Sequence, residues 1–134
     1  MSNAVTTLSH QKIAEDTVVP RAEMPILLRG VKKICEDNYV LSVCWGHLGD
    51  GNLHVNIITE STTDDGWHER AIKSKTEIFK LVKSLGGMLS AEHGVGYTQK
   101  DFMPLFFKPL HLDILRGIKS VFDPKGILNP EKVF

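Results

Sequence analysis

The stretch of sequence that decides the fold is Gly46-His47-Leu48-Gly49-Asp50-Gly51-Asn52-Leu53-His54-Val55-Asn56. Asp50-Gly51 favours a two-residue type I′ turn, because both positions tolerate positive φ. A turn at these residues predicts that His47 lies directly opposite His54, with the two Cβ atoms about 5 Å apart on one face of the sheet. Two imidazoles at that separation can hold one metal ion between them.

Strand alternation divides the other side chains of this hairpin between its two faces. Trp45 is predicted to share the face of His47, and Asn56 the face of His54. The opposite face is predicted to be apolar core, formed by Cys44, Leu48, Leu53, Val55 and Ile57. The hairpin therefore has one side for the core and one side for a candidate site.

Composition excludes several classes of protein. The 134 residues are typical of a single domain, and 16 basic residues balance 16 acidic ones, so nothing favours nucleic acid or an anionic membrane as the main partner. No stretch approaches the ~20 apolar residues of a membrane span. Cys35 and Cys44 lack CxxC spacing, which predicts buried thiols in a reducing compartment and hence a cytoplasmic location.

Hydrophobic periodicity predicts an α+β fold around the hairpin. The predicted order is a strand at 13–19, a helix at 21–36, strands at 39–47 and 52–59, a helix from 61–65 to about 85, and a strand at 88–91. This is the ferredoxin-like split βαβ order, in which both helices cover one face of an antiparallel sheet. The other face, which carries the histidines, is predicted to be open and to be covered by something outside this chain.

Helical spacing and end signals predict details of each helix. Pro25 fits the first turn of the first helix, residues 61–65 supply N-cap candidates for the second, and Gly86-Gly87 end it. The side chains predicted to face inward are Leu27, Leu28, Val31, Ile34 and Cys35, then Ala71, Ile72, Ile78, Phe79 and Val82, then Leu112, Leu115, Ile118 and Phe122 of a helix at 110–122.

The chain is predicted to have three parts. Residues 1–11 are a cloning remnant, Met1-Ser2-Asn3-Ala4, followed by a flexible lead-in. Residues 12–97 form the ferredoxin-like domain that carries the candidate site. Residues 98–134 form a helical tail, whose densely apolar segment 102–107 adds exposed surface of the kind that marks an interface.

Glu92 and His93 supply what the two hairpin histidines lack, because a metal site needs at least three protein ligands. Glu92 would be the third ligand. It must lie past the end of the last strand and reach back, because that strand is two strands, or roughly 10 Å, from the strand of His54. His93 would then serve in proton transfer, since histidine titrates near neutral pH. The alternative is a surface pair of histidines beside an exposed acid.

Three further side chains have a functional and an ordinary interpretation. Arg21 could bind a carboxylate with its planar guanidinium, or could be a solvated arginine at a helix start. Trp45 could line a ligand site or pack within the sheet. Asn129 could bind a cofactor or cap a turn.

Three motifs occur in order along the chain: Gly46-His47-Leu48-Gly49-Asp50-Gly51-Asn52-Leu53-His54, Ala91-Glu92-His93-Gly94-Val95-Gly96 and Phe122-Asp123-Pro124-Lys125-Gly126-Ile127-Leu128-Asn129-Pro130. With the preceding Glu15-Asp16-Thr17-Val18-Val19-Pro20-Arg21, they resemble the C-terminal domain of FAD-linked oxidases of the glycolate oxidase, D-lactate dehydrogenase and D-2-hydroxyglutarate dehydrogenase type. The resemblance extends over about residues 12–134.

This resemblance implies a role for each matching residue. His47, His54 and Glu92 would bind a divalent metal, expected to be zinc, beside the flavin. His93 would be the base or would bind substrate, and Asn56 would contact the substrate. Asn129 would lie near the flavin, and Arg21 is retained as a candidate substrate-binding residue.

The implied reaction is the FAD-dependent oxidation of a small D-2-hydroxy acid, such as glycolate or D-lactate, to the 2-oxo acid, with hydride passing to N5 of FAD. The implied partners are the substrate and an upstream FAD-binding domain of the same protein, for which this chain carries no substitute. The isolated chain is thus expected to be inactive, and either to self-associate through its exposed face or to leave that face exposed to solvent. The full-length enzyme is expected to be cytoplasmic or peripheral to the membrane. The rival interpretation is a non-catalytic metal-binding or interaction module that offers its open sheet face to a protein partner.

Overall fold

The computed structural model describes Thr7, Ser9 and residues 11–61 and 63–134. Most of the predicted lead-in at 1–11 lies outside these residues. The chain divides into two compact units, Met1–Glu92 and His93–Phe134. Among the described residues, no helix has both the length and the apolar character needed to cross a membrane.

The first unit is an α+β fold on a three-stranded antiparallel sheet. Its strands are β1 (Gln11–Val18), β2 (Leu41–His47) and β3 (Asn52–Thr59), with β3 between the other two. A 3₁₀ turn at Arg21–Glu23 and helix α1 (Met24–Asp37) connect β1 to β2, and helix α2 (Trp67–Ser84) follows β3. The arrangement is consistent with the predicted ferredoxin-like split βαβ order, with the two helices packed on each other and on the sheet.

The core lies between the helices and one face of β3. Leu53, Val55 and Ile57 are buried on that face, as predicted. The helical side chains buried with them are Leu27, Val31 and Cys35 of α1 and Ala71, Ile78, Phe79 and Val82 of α2. Ile72 was predicted to face inward but is 40% exposed, because it lies at the margin of the apolar arc of α2.

The hairpin has a different register from the predicted one. His47 pairs with Asn52 and Trp45 pairs with His54, so the connection has four residues rather than two. The N–H of Asp50 donates to the carbonyl of His47 at 3.0 Å, which closes a turn two residues earlier than expected. The predicted assignment of side chains to the two faces of the sheet is still correct, because a shift of two residues keeps every side chain on the same face.

The reason for this register is a contact with the end of β1. Gly51 adopts a φ of 74°, and its carbonyl accepts a hydrogen bond from the N–H of Val19 at 2.9 Å. A Cβ atom at Gly51 would lie only 2.0 Å from the carbonyl oxygen of Val19. Leu48, predicted to be core, instead belongs to the connection and is 68% exposed.

The predicted fourth strand at 88–91 is wrong. Only one antiparallel bridge forms, between Val18 and Met88, with backbone N···O distances of 3.3 and 2.9 Å. Gly87 allows this close approach, since a Cβ atom there would lie 2.2 Å from the carbonyl oxygen of Val18. Beyond Met88 the chain leaves the ladder, and the side chain of Asp16 binds the N–H groups of Ala91 and Glu92.

The two ends of α2 differ in how well the sequence predicts them. At the C-terminus, the N–H groups of Gly86 and Gly87 donate to the carbonyls of Lys83 and Val82 at 3.0 and 2.9 Å, which is the Schellman pattern and confirms the predicted stop. At the N-terminus, none of the candidates at 61–65 is the cap. Gly66 occupies the N-cap position, so the helix begins without a capping hydrogen bond from a side chain.

The second unit contains a 3₁₀ turn at Lys100–Phe102, helix α3 (Met103–Phe106) and helix α4 (Pro109–Phe122). Leu112 is buried, but Ile118 and Phe122 are 54% and 78% exposed, against the prediction that they face a core. At about 100° per residue, both side chains lie well away from Leu112 around the helix. Segment 102–107 is mostly half-buried, with Met103 buried, and is not the exposed patch that was expected.

Candidate metal site

The candidate metal site is built around His54 on the face of β3 opposite the helices. The side chain of His54 is 8% exposed, and its Nε2 lies 3.1 Å from Oε1 of Glu92. Its Nδ1 lies 3.6 Å from Oδ1 of Asp16, which is the residue paired with it on β1. His54 is therefore held between two carboxylates, one at each ring nitrogen.

His47 approaches the same carboxylate from the neighbouring strand. The imidazoles of His47 and His54 meet edge to face, with ring centroids 5.7 Å apart. Nε2 of His47 lies 3.9 Å from Oε1 of Glu92. Because of the register, the two histidines are diagonal rather than opposed neighbours, and they still share one face.

The three predicted ligands, His47, His54 and Glu92, each offer one atom to a common point, and these atoms all lie within 4.8 Å of one another. Around tetrahedral zinc, ligand atoms at bond lengths of 2.0–2.2 Å stand about 3.4 Å apart. A small movement of the exposed His47 side chain toward His54 and Glu92 would bring the three ligand atoms to that spacing. Two imidazoles and one carboxylate leave a fourth position for an oxygen ligand, as catalytic zinc sites do. The residues fit a divalent ion.

Asp16 explains how Glu92 reaches His54 from beyond the last bridge. Its Oδ2 accepts the backbone N–H groups of Ala91 and Glu92 at 3.0 and 2.8 Å and the hydroxyl of Ser90 at 3.2 Å. The Asp16 side chain is 2% exposed. Sequence reasoning missed this residue, although a signal exists: an acid in a strand, at a position that faces the histidine side.

The histidine face is not open as predicted. His54 and Asn56, which lie on the central strand, are 6% and 2% exposed. Trp45, opposite His54, is half-buried, and its ring lies 5.7 Å from the imidazole at a tilt of 33°. The indole therefore lines the site as well as packing in the sheet.

Three other predicted site residues are not part of this group of ligands. Arg21 is exposed at the first position of the 3₁₀ turn after Pro20. His93 is exposed and begins the second unit, directly after Glu92 in the chain. Asn129 is exposed in the second unit and adopts a φ of 46°.

The two thiols do not compete as ligands. Both cysteines are free, Cys35 buried and Cys44 half-buried. Burial raises the pKa of Cys44 to about 11, so its thiol is neutral at physiological pH. A neutral thiol is a poor metal ligand, because the thiolate is the binding form.

Asp123 organises the loop that leads to Asn129. Its Oδ1 accepts the N–H of Ile127 at 2.9 Å, and its Oδ2 accepts the N–H of Leu128 at 3.1 Å and the ammonium of Lys119. The hydrogen bond from Lys119, followed by the two backbone N–H groups, holds the pKa of Asp123 below its usual value. A lowered pKa means that the folded chain prefers the ionised carboxylate.

This preference predicts a pH-dependent effect of Asp123→Asn. The ionised carboxylate stabilises the fold fully above the unfolded pKa of about 3.9, and this stabilisation is lost as the pH falls through the lower folded pKa. Asp123→Asn should therefore lower the Tm at pH 7 and approach the wild-type Tm at pH 2.5. Asp113→Asn, at an exposed ion pair with Arg116, is the control and should change the Tm little at either pH. An equal Tm difference for Asp123→Asn at both pH values would contradict the prediction.

Comparison of the sequence with known proteins identifies its family. The chain matches the family described as FAD linked oxidases, C-terminal domain, over residues 1–133. It is 35% identical over 132 residues to a D-2-hydroxyglutarate dehydrogenase of Stutzerimonas stutzeri, covering 96% of this chain and 28% of that protein. It is 36% identical over 133 residues to the glycolate oxidase subunit GlcD of Bacillus subtilis, covering 98% and 28%.

A third relative is a D-lactate dehydrogenase of Archaeoglobus fulgidus, 34% identical over 118 residues, with 88% of this chain and 26% of that protein covered. The chain thus spans about a quarter of the length of these curated relatives. The match covers both units and all three motifs that carry the resemblance. The chain therefore belongs to the family of C-terminal domains of FAD-linked oxidases.

Proposed function

We propose that this chain is the substrate- and metal-binding portion of an FAD-dependent oxidoreductase that converts a small D-2-hydroxy acid to the 2-oxo acid. The observation that carries the proposal is the convergence of His47, His54 and Glu92 within 4.8 Å in a chain of this family. The names of the three relatives, each referring to a 2-hydroxy acid, support this substrate class.

The proposed metal ligands are His47, His54 and Glu92, and zinc is the proposed ion. A bound divalent ion would supply positive charge for the hydroxyl and carboxylate oxygens of the substrate. His54 is the most rigid ligand, because it is buried and sits on the central strand. His47 is the most adjustable, since 58% of its side chain is exposed and it ends β2.

The proposed proton acceptor is His93, the residue that follows the ligand Glu92 in the chain. An imidazole is a common general base and can take the proton of the substrate hydroxyl. Asn56 and Arg21 are the proposed substrate-binding residues, through an amide and a guanidinium, and Asn129 is the proposed contact to the cofactor. FAD, held by a separate domain, would supply the acceptor for the hydride that leaves carbon 2.

Two proteins test this proposal: the chain alone, and a longer protein in which an FAD-binding domain precedes it. We expect the chain alone to purify without flavin absorbance and to reduce no dye with D-lactate, glycolate or D-2-hydroxyglutarate. The longer protein should be yellow and should reduce the dye with at least one of these acids. His93→Ala in the longer protein should lower kcat by about 10²-fold or more, as loss of a general base does.

The control variant is His111→Ala, which removes an exposed histidine of α4 and should leave kcat unchanged. A longer protein that binds flavin and metal but oxidises none of the acids would favour the non-catalytic module instead. A chain that binds flavin tightly and oxidises a hydroxy acid without a further domain would contradict the proposal that a separate domain binds FAD.

A further inference from the structure

We propose that Asp16 is the positioning residue of the metal site: its carboxylate holds Glu92 beside His54 and sets the tautomer of His54. The inference rests on the proposed function, since it assigns a supporting role to a side chain that is not itself a proposed ligand. It is carried by the contacts of one buried carboxylate with the backbone of one ligand and the ring of another.

The first step is the position of Glu92. Glu92 lies four residues after Met88, whose bridge to Val18 is the last strand pairing in the described part of the chain. Strand pairing therefore does not fix the position of Glu92. Oδ2 of Asp16 instead accepts the two consecutive N–H groups of Ala91 and Glu92. Hydrogen bonds to a charged acceptor are stronger than ordinary ones, so this carboxylate fixes the backbone from which the Glu92 side chain reaches His54.

The second step is the tautomer of His54. A metal-binding imidazole needs an unprotonated nitrogen toward the ion, and a carboxylate at the other nitrogen favours the proton there. Oδ1 of Asp16 lies 3.6 Å from Nδ1, which is an ion-pair distance longer than a hydrogen bond, while Nε2 lies 3.1 Å from Oε1 of Glu92. When a cation lies between Nε2 and Glu92, the negative charge of Asp16 favours the proton at Nδ1, so that Nε2 of His54 is the ligand atom.

The third step separates this role from ordinary core packing. The preceding residue, Glu15, is also a buried carboxylate, but it faces the helices, where its Oε1 lies 2.7 Å from Nζ of Lys75. The side chains of Glu15 and Lys75 are 2% and 5% exposed. Two adjacent acids are thus equally buried on opposite faces of β1, and only Asp16 faces the proposed ligands.

This pair gives a matched experiment on the 134-residue chain with Co²⁺ as the probe. Asp16→Asn keeps the size of the side chain and an oxygen for the loop N–H groups, but it places an amide donor where His54 needs an acceptor. We expect Asp16→Asn to weaken Co²⁺ binding by about 10- to 100-fold, the usual cost of losing a supporting partner of a metal ligand. The visible Co²⁺ absorption bands should change as well. Glu15→Gln should lower the Tm yet keep the wild-type Co²⁺ affinity and bands.

A second measurement, on metal-free protein, tests the backbone role alone. Asp16→Ala should raise the hydrogen exchange rates of the Ala91 and Glu92 amides by about 10-fold or more relative to wild type, and Glu15→Gln should not. If Asp16→Asn binds Co²⁺ with wild-type affinity and bands, the positioning role at His54 is wrong. If Asp16→Ala leaves both exchange rates unchanged, the role at Glu92 is wrong. A wild-type chain that binds no Co²⁺ overturns the proposed metal site, and the exchange rates then still decide the role at Glu92.

Discussion

Val55→Asp is expected to unfold the first unit at neutral pH. Val55 is completely buried on the helix-facing side of the central strand. An aspartate at this position would bury a charge, and on β1 it would stand directly opposite Glu15, a second buried carboxylate. Burial without a partner and like-charge repulsion add, so we expect a loss of more than about 4 kcal/mol, against a typical total stability of 5–15 kcal/mol.

The measurement is a urea titration followed by circular dichroism, with Val121→Asp as the control. Val121 is 76% exposed on α4, so the same substitution there should cost less than about 1 kcal/mol. A Val55→Asp protein as stable as the Val121→Asp protein would mean that the two faces of β3 have been exchanged. That error would move the histidine face into the core and would remove the site.

The double variant His47→Ala/His54→Ala is expected to lose metal binding. Calorimetric titration of the wild-type chain with Zn²⁺ at pH 7.5 should show one site per chain. The variant keeps only Glu92 of the three converging side chains, and a single carboxylate is a weak zinc ligand. We expect its affinity to fall by more than about 100-fold, which exceeds the cost of losing a supporting residue alone.

The matched control is His68→Ala/His111→Ala, which removes two exposed histidines from α2 and α4. This control loses the same number of imidazoles as the His47→Ala/His54→Ala variant, and it should bind Zn²⁺ with the affinity of the wild type. Equal weakening in the two double variants would show that binding reflects general histidine content. Equal binding by the wild type and the His47→Ala/His54→Ala variant would exclude this cluster as the site.

Much of the fold follows from local pattern. Alternation along β3 determines which side chains face the helices, and a register shift of two residues cannot change it. The apolar spacing of α1 and α2 places Leu27, Val31 and Ile78 in the core. Gly86-Gly87 ends α2 because glycine supplies the positive φ of a Schellman motif. These signals depend on residues close in the chain, so they are readable without the rest of the molecule.

The sequence-based predictions are wrong where a segment that is distant in the chain determines the local backbone structure. Asp50-Gly51 has the sequence of a two-residue turn, yet the backbone of Gly51 binds Val19 at the end of β1, and the hairpin closes two residues away from the expected register. Segment 88–91 has the composition of a strand, yet it forms only one bridge. In both places a backbone contact across the unit outweighs a local preference, and neither contact is visible in the local sequence.

The candidate site combines both kinds of information. Sequence alone determined that His47, His54 and Glu92 are the candidate ligands and that Glu92 must reach back from beyond the last strand. Only the tertiary structure decided what holds it there, because Asp16 and Glu92 are 76 residues apart in the chain and meet through a partly buried hydrogen bond. The strand pattern marks Asp16 as facing the histidines, but which backbone N–H groups its carboxylate binds depends on the folded path of a segment with no regular structure.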